Sequence, residues 1–189
     1  MTGADKNPAR PVRRGVPEAL AAWPGEDTGC VFCNLLGAVD WASGPNGETK
    51  EKAEADGLIV ARLDKCFVML NAFPYSSGHA MILPYVHTDS LAKLPADTAE
   101  EIIRTAQRME TVLRNVYKPD GINLGMNLGE AAGAGVAGHI HLHVLPRWFG
   151  DTNFMTVVAE TRVLPEALEV TLVRLRATFR EVISSEFVQ

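Results

Sequence analysis

The chain has 189 residues, of which 47% are hydrophobic and 22% charged, with a formal net charge of -5 at pH 7. This length and apolar content suit one domain with a sizeable core, and the acidic balance excludes a broad basic surface that would hold DNA or RNA. No apolar run reaches the roughly 20 residues of a membrane span, and the first residues lack the apolar core of a secretory signal, so we expect a cytoplasmic protein without nucleic-acid or membrane partners.

The first 25 residues contain four prolines and three arginines and show no sustained hydrophobic period. Such a segment has little apolar surface with which to pack on a core. We therefore predict a mobile N-terminal arm over residues 1–25.

Two of the three cysteines, Cys30 and Cys33, are separated by two residues. This spacing lets one metal ion bind both thiolates, and three cysteines fit a metal site in a reducing compartment better than a disulfide framework. The alternative is that both are buried small hydrophobic residues. The third cysteine, Cys66, is expected in the core.

The stretch over residues 43–56, SGPNGETKEKAEAD, is polar, dense in charge and punctuated by glycine and proline. This composition is typical of a solvated loop between ordered segments. We predict a loop here and assign no function to its charges.

Five short segments that alternate in polarity or run as apolar blocks predict β-strands. They span residues 58–63, 67–71, 79–83, 122–127 and 140–145. Between the third and fourth, apolar residues at helical spacing follow a predicted capping box of Asp97 and Glu100 and stop at Pro119, which predicts one long helix.

A final helix is predicted from apolar residues at helical spacing near the end of the chain: Leu168, Leu172, Leu175, Phe179 and Val182. This order of elements indicates an α+β fold with helices on one face of a mostly antiparallel five-stranded sheet. We predict one domain over residues 26–160 and a C-terminal helical extension, residues 161–189, packed on it.

Three of the five histidines, His139, His141 and His143, alternate with apolar residues. On a strand the three would line one face while their apolar neighbours enter the core. Neighbouring histidines would lie roughly 6.5 Å apart and the outer two roughly 13 Å, too far for one zinc ion with ligand bonds of about 2.0–2.3 Å. At most one can join a metal site, which leaves the others for phosphate chemistry. The alternative is a solvent-facing row without function.

The sequence HIHLHVL over residues 139–145 resembles the signature of the histidine triad (HIT) family, in which three histidines alternate with apolar residues. The resemblance extends from about Cys30 to Thr156 and includes LNAFPYSSGHAMILPYVH, GINLGMNLGEAAGAGVAGH and LPRWFGDTNFM. The last segment resembles the branch that contains bacterial diadenosine tetraphosphate phosphorylases and fragile-histidine-triad-like hydrolases. The resemblance implies a HIT-like fold.

The resemblance also implies catalytic roles. His141, the middle histidine, would attack the α-phosphate of an adenine nucleotide and form a nucleotidyl-histidine. A neutral imidazole with an ordinary pKa of about 6.5 suits this role once its other nitrogen donates to a carbonyl. His143 and His79 would lie beside the phosphates and stabilise charge or protonate the leaving group.

Asparagines and glycines complete the implied nucleotide site. Asn127 matches a phosphate-contacting asparagine and Asn71 a ribose-contacting residue, although a turn-capping asparagine would look the same. Gly133 and Gly135 lie in the loop GEAAGAGVAG, which allows close approach to phosphate unless it is an ordinary flexible connection. Gly135 departs from the family pattern of serine, threonine or glutamine, so hydrolysis and phosphorolysis both stay open.

The family includes members with a structural zinc ion, and the residues that match its ligands are Cys30, Cys33, His87 and His139. A closed site with four protein ligands has no open position for substrate. The zinc ion would therefore tie the N-terminal segment to the sheet and take no part in the chemistry.

Together these residues predict an enzyme that cleaves dinucleoside polyphosphates such as diadenosine tetraphosphate at the α-phosphate, without an organic cofactor. A nucleoside phosphoramidate hydrolase and an adenine-nucleotide sensor with low turnover are the alternatives. Strand spacing disfavours a zinc hydrolase that uses the triad as catalytic ligands. The resemblance also implies a homodimer formed through the long helix and a sheet edge.

Overall fold

A computed structural model describes residues 14–45, 49–151 and 166–186. Its centre is a five-stranded sheet in the order β1-β2-β3-β5-β4, in which every neighbouring pair is antiparallel. The strands are β1 (Ile59–Arg62), β2 (Cys66–Leu70), β3 (Ala80–Pro84), β4 (Gly121–Gly125) and β5 (Leu142–Arg147). The predicted α+β fold with a five-stranded antiparallel sheet is confirmed.

Within these described ranges, four α-helices accompany the sheet: α1 (Val31–Ala42), α2 (Lys50–Asp56), α3 (Ala96–Tyr117) and α4 (Leu168–Glu186). The predicted long central helix and C-terminal helix correspond to α3 and α4. None of the helices in the described ranges is both long enough and apolar enough to cross a membrane.

Helices cover both faces of the sheet, so the prediction that they lie on one face is wrong. Residues of alternate orientation along β2 enter two separate clusters: Val68 and Leu70 pack with α3 and α4, whereas Phe67 and Met69 pack with α1. A strand buried on both faces reads as a continuous apolar run, as β2 does. The second face is therefore available to the cysteine-bearing helix α1.

The predicted loop over residues 43–56 is wrong at its C-terminal end, where the charge run forms α2. The side chain of Thr49 accepts a hydrogen bond from the backbone N–H of Lys52 and caps the helix, and Lys52 pairs with Asp56 at 2.7 Å. Such caps and pairs at a spacing of four residues stabilise short helices.

The predicted capping box at the start of α3 is also wrong. The helix begins at Ala96 after Pro95, and no side chain caps it. Asp97 instead forms an ion pair with Lys65 at 3.1 Å. The predicted end before Pro119 is correct, because Lys118 adopts a left-handed conformation with φ of 47° after Tyr117.

The described part of the predicted mobile arm, residues 14–25, packs on the domain, and residues 1–13 lie outside the described residues. Val16, Leu20 and Trp23 are buried in the same cluster as α1. The side chain of Asn34 in α1 is fully buried and donates to the backbone carbonyl of Arg14 at 3.0 Å and to Asp27 Oδ1 at 2.7 Å. Apolar and polar contacts thus anchor this segment, although its proline content predicted that it would be mobile.

Helix α4 contributes to the core and is tied to the sheet by a buried arginine. Leu172, Leu175 and Phe179 belong to the larger apolar cluster. Arg176 donates from two guanidinium nitrogens to the carbonyl of Ile59 at 2.8 and 2.6 Å. Burial lowers the pKa of Arg176, and these hydrogen bonds satisfy a charge that would otherwise be costly to bury.

Candidate active site and metal centre

The three histidines of the motif diverge to different partners. His139 and His141 precede β5, which begins at Leu142, and His143 lies within it. The rings of His141 and His143 contact each other with centroids 4.7 Å apart, while the ring of His139 points to Cys30 and Cys33. One histidine therefore joins the cysteines, and two remain together.

The side chain of His141 is held by the backbone of its own motif. Its Nδ1 lies 2.9 Å from the carbonyl oxygen of His139. Because a carbonyl only accepts, Nδ1 carries the proton and Nε2 keeps its lone pair. His141 also lines a cavity, so Nε2, the nitrogen that is not engaged with this carbonyl, is the one available for attack at a ligand-sized opening.

His79 lies behind His143 and not beside the cavity, since it is only 1% exposed. The backbone N–H of Tyr75 donates to Nδ1 of His79 at 3.2 Å, and Nε2 of His79 lies 2.9 Å from Nδ1 of His143. With Nδ1 of His79 accepting, its Nε2 must donate to His143. His143 is then left with an Nε2–H donor, and His79 reaches the cavity only through His143.

Burial favours the neutral forms of His79 and His143. Desolvation, followed by the charges of His143 and His141, lowers the pKa of His79 to about 4. Desolvation and the charge of His141 lower the pKa of His143. Neutral imidazoles at physiological pH act as oriented hydrogen-bond donors and acceptors.

A cavity of about 530 Å³ opens beside His141 and His143, within the range of small-ligand sites. Its wall is largely apolar and aromatic and includes Val31, Phe32, Leu35, Met69, Phe73, Tyr75, Met81 and Val136. The combination of an apolar wall and two histidines at one end suits a ligand with a flat apolar base and an anionic group.

Asn71 and Gly135 line this cavity, whereas Asn127 and Gly133 are not among its lining residues. Asn71 also caps a local turn, because its Oδ1 accepts the backbone N–H of Phe73 at 2.9 Å. The side chain of Asn127 donates to the carbonyl of Gly133 at 3.4 Å and braces the glycine-rich loop. The structure thus separates these four residues into two that face the cavity and two that support the loop.

Cys30, Cys33, His87 and His139 form one cluster, in which the four potential ligand atoms lie within 4.8 Å of one another. Cys30 Sγ and Cys33 Sγ lie 3.4 and 3.6 Å from Nδ1 of His139, and Cys33 Sγ lies 3.4 Å from Nδ1 of His87. Tetrahedral zinc with bonds of about 2.3 Å to sulfur and about 2.0–2.1 Å to nitrogen would separate such ligands by about 3.5 Å. The residues therefore fit a zinc ion.

The surroundings of the cluster also suit a cation. Nε2 of His139 lies 3.0 Å from the carbonyl of Pro84 and donates to it, which directs the lone pair of Nδ1 toward the cysteines. Burial, reinforced by the hydrogen bond and charge of Cys30, raises the pKa of Cys33 to about 11. A bound cation would offset this cost and favour the thiolates.

Phe32 and Tyr75 are site residues that the sequence did not single out. The ring of Phe32 contacts the rings of both His139 and His141, and Tyr75 stacks at a tilt on His79 with centroids 4.9 Å apart. In the sequence, Phe32 resembles any core residue of a helix, and Tyr75 any loop aromatic. The one sequence feature that could have indicated Phe32 as a site residue is its position between the two cysteines of the predicted metal site.

Comparisons with known proteins agree with this geometry. The HIT domain model matches residues 52–150. An AP-4-A phosphorylase from Mycobacterium tuberculosis is 40% identical over 134 residues, which cover 71% of this chain and 68% of the relative.

Solved structures give the same result. A Zn-bound histidine triad family protein from Mycobacterium smegmatis has a TM-score of 0.61 at 28% identity, with 82% of this chain and 96% of the neighbour covered. A histidine triad nucleotide-binding protein from Sulfolobus tokodaii, at 23% identity, shares the fold with a TM-score of 0.59 over 81% of this chain and 93% of its own. With the motif, the sheet and the family match in agreement, the chain belongs to the histidine triad family.

Proposed function

We propose that this protein cleaves dinucleoside polyphosphates of the diadenosine tetraphosphate type through a nucleotidyl-His141 intermediate. The observation that carries the proposal is the hydrogen bond of 2.9 Å from Nδ1 of His141 to the carbonyl of His139, which leaves Nε2 available beside the cavity. The 40% identity to an AP-4-A phosphorylase supports this substrate class.

In the first step, the lone pair on Nε2 of His141 attacks the α-phosphorus of one adenosine. The N–P bond forms as the bond from phosphorus to the bridging oxygen breaks, and the bond electrons leave with the remaining nucleotide, ATP in the case of diadenosine tetraphosphate. The Nδ1–H bond to the carbonyl of His139 stabilises the positive charge that develops on the imidazole.

In the second step, an oxygen of water or of inorganic phosphate attacks the same phosphorus, and the N–P electron pair returns to Nε2. Water yields AMP and releases a proton, whereas phosphate yields ADP. Gly135, where the family often carries a polar side chain, lines the cavity without contributing a hydroxyl or amide group. The choice between water and inorganic phosphate as the attacking group therefore depends on which of them the other cavity residues and the backbone bind beside the α-phosphate.

Two hydrogen bonds in series, from the backbone of Tyr75 to His79 and from His79 to His143, orient a donor toward the phosphoryl oxygens. His143 presents an Nε2–H group, and a hydrogen bond to a developing anionic oxygen commonly contributes a few kcal/mol to catalysis, on the order of 10²-fold or more in rate. His143 is thus the contacting residue, and His79 fixes its tautomer and orientation. The apolar wall of the cavity would hold the base.

We further propose that Cys30, Cys33, His87 and His139 hold a structural zinc ion. When bound, the ion links the start of α1 to the sheet and supplies no chemistry to the phosphate, because all four positions come from the protein. The distances of 3.4–3.6 Å between sulfur and nitrogen atoms support this ligand set. Reduced thiols of this kind agree with a cytoplasmic location.

A homodimer through the edge strand β4 is the proposed assembly. In the described part of the chain, β4 pairs only with β5, and Leu124 on β4 is half-exposed. Phe149, near the same edge, is 94% exposed. An open strand edge and exposed apolar side chains are covered when a second copy binds.

The test of the proposed function is a product analysis by chromatography. Wild type and His141→Ala are incubated with diadenosine tetraphosphate with and without inorganic phosphate. ADP and ATP formed only with phosphate identify a phosphorylase, and AMP and ATP formed regardless of phosphate identify a hydrolase. Binding without turnover would favour phosphoramidate substrates or a nucleotide sensor, and activity that survives in His141→Ala would refute the mechanism.

A further inference from the structure

Phe32 lies between the cysteine–histidine cluster and the nucleotide cavity. It occupies the first turn of α1, between Cys30 and Cys33, and lines the cavity. Its ring centroid lies 5.5 Å from that of His139 with the planes at 81°, and 5.3 Å from that of His141 with the planes at 60°. One buried ring thus contacts a proposed metal ligand, the proposed nucleophile and the ligand cavity at once.

His139 makes a second connection between the two sites. Its Nδ1 faces the sulfur of Cys30 at 3.4 Å, while its backbone carbonyl accepts from Nδ1 of His141 at 2.9 Å. The ring that faces the cysteines and the carbonyl that holds His141 therefore belong to the same residue. Two connections thus reach His141, one through the aromatic ring of Phe32 and one through this backbone hydrogen bond.

We propose that Phe32 is a positioning residue that couples the metal centre to the nucleotide cavity, so that zinc and nucleotide bind with mutually enhanced affinity. This rests on the nucleotide site proposed above. Binding of a cation to the cysteines fixes both the N-terminal turn of α1 and the ring of His139. Because Phe32 belongs to that turn and packs on that ring, its side chain is ordered as a wall of the cavity before nucleotide enters.

Preorganisation of this kind has a required thermodynamic consequence. If zinc raises the affinity for nucleotide by a given factor, nucleotide raises the affinity for zinc by the same factor. A cavity whose wall is already ordered loses less conformational entropy on binding, so the effect is positive. An ion that stabilised only the fold and did not affect the cavity wall would leave the nucleotide affinity unchanged.

The experiment measures AMP binding to the full chain by titration calorimetry, with free zinc held at a saturating or a negligible level by a chelator buffer. We expect AMP to bind at least about fivefold more tightly to the zinc-loaded chain. In the reciprocal measurement on loaded protein, saturating AMP should slow zinc transfer to a competing chelator. Equal AMP affinity in both states, or zinc transfer unchanged by AMP, would overturn the coupling.

Two matched variants identify the link. Phe32→Leu keeps apolar bulk in the cavity but loses the ring contacts, so the ratio of AMP affinities should fall below about twofold while both ligands still bind. Met81→Leu changes another buried wall residue of the same cavity and should keep the wild-type ratio. A full ratio in Phe32→Leu would exclude Phe32 as the link. Failure of AMP to bind in either zinc state would instead refute the nucleotide site on which the coupling depends.

Discussion

His79 and His143 are joined by a hydrogen bond of 2.9 Å between Nε2 of the first and Nδ1 of the second. The backbone N–H of Tyr75 fixes the proton on His79 by donating to its Nδ1. A loop amide thereby determines, through His79, which nitrogen of His143 carries a proton. The resulting Nε2–H group of His143 is oriented by a chain of uncharged hydrogen-bonding groups.

His79→Leu should lower kcat on the order of 100-fold, because His143 loses the donor that fixes its tautomer. KM should change little, since His79 does not line the cavity. His79→Gln offers an amide donor at the position of Nε2 and should recover much of the rate. Steady-state kinetics of the two variants provide the check, and equal losses in both would assign His79 a merely structural role.

The stability of the protein should fall in mild acid because of His79. Its pKa is about 4 in the folded protein against 6.5 for an ordinary histidine, so between these pH values the unfolded chain binds more protons. The free energy of unfolding then decreases as the pH drops below 6.5, by up to about 1.4 kcal/mol per pH unit from this residue. More than about one pH unit above 6.5, the residue is neutral in both states and contributes almost no slope.

Urea denaturation at pH 7.5 and pH 5 measures this effect, with His79→Gln as the control because glutamine does not titrate in this range. The variant should lose less stability between the two pH values than the wild type. Identical losses would show that other groups cause the acid sensitivity.

His141→Ala should reduce turnover on the order of 10³-fold or more, since His143, the other histidine in the described lining of the cavity, carries its proton on Nε2 and cannot replace the nucleophile. The residue lies at the cavity and its main hydrogen bond is to an adjacent carbonyl, so the fold should persist. Calorimetric binding of AMP and the thermal midpoint of the variant test this distinction. A variant that neither binds nor folds would show that the loss of activity carries no mechanistic information.

Cys33→Ser should reduce bound zinc from one per chain to a small fraction, as measured by elemental analysis. Cys66→Ser is the matched control, because Cys66 is buried next to Thr105 on the other face of the sheet and belongs to no metal cluster in the described ranges. A chelator should lower the thermal midpoint of wild type but not of Cys33→Ser. Equal zinc content in both variants would argue against the proposed ligands.

Gly135→Ser should preserve stability to within about 0.5 kcal/mol, since a Cβ atom at Gly135 would meet nothing within 4 Å. The new hydroxyl would face the cavity and should alter the dependence of product formation on phosphate. Gly133→Ser is the contrasting variant: Gly133 has φ of +86°, so a side chain there should cost roughly 1–2 kcal/mol. Chemical denaturation separates the two, and an unchanged product ratio in Gly135→Ser would exclude this position from acceptor choice.

The fold was predictable because its strands and long helix have clear periodicities. The spacing of Leu113 and its neighbours indicates a helix, whereas the apolar run of β2 favours a strand because it is short and follows a turn. Helix α2 was missed because a short segment dominated by charged residues resembles a loop. Burial of Ala53, the cap from Thr49 and the pair of Lys52 with Asp56 contribute to its stability. The packed segment after residue 13 was missed because Pro17 and Pro24 argue against the helix that the spacing of its apolar residues, Val16, Leu20 and Trp23, would otherwise indicate.

The sequence indicated the individual residues of the candidate site, but not the contacts between residues that are far apart in the chain. The alternation of His139, His141 and His143 with apolar residues indicated that they could not share one ion, and the cysteine spacing indicated a metal. Long-range contacts such as that between His79 and His143, 64 residues apart, have no local signature. The same is true of the edge contacts of Phe32, which depend on how α1 approaches the sheet.

The packed core extends beyond residues 52–150, the segment that the HIT domain model matches. Cys30 and Cys33 precede residue 52, and Arg176 with the apolar residues of α4 follows residue 150. A fragment limited to residues 52–150 would keep every histidine yet retain only half of the proposed metal ligands, and both faces of its sheet would be partly bare. The histidine-bearing strands therefore depend on both flanking helices, α1 and α4, for their packing.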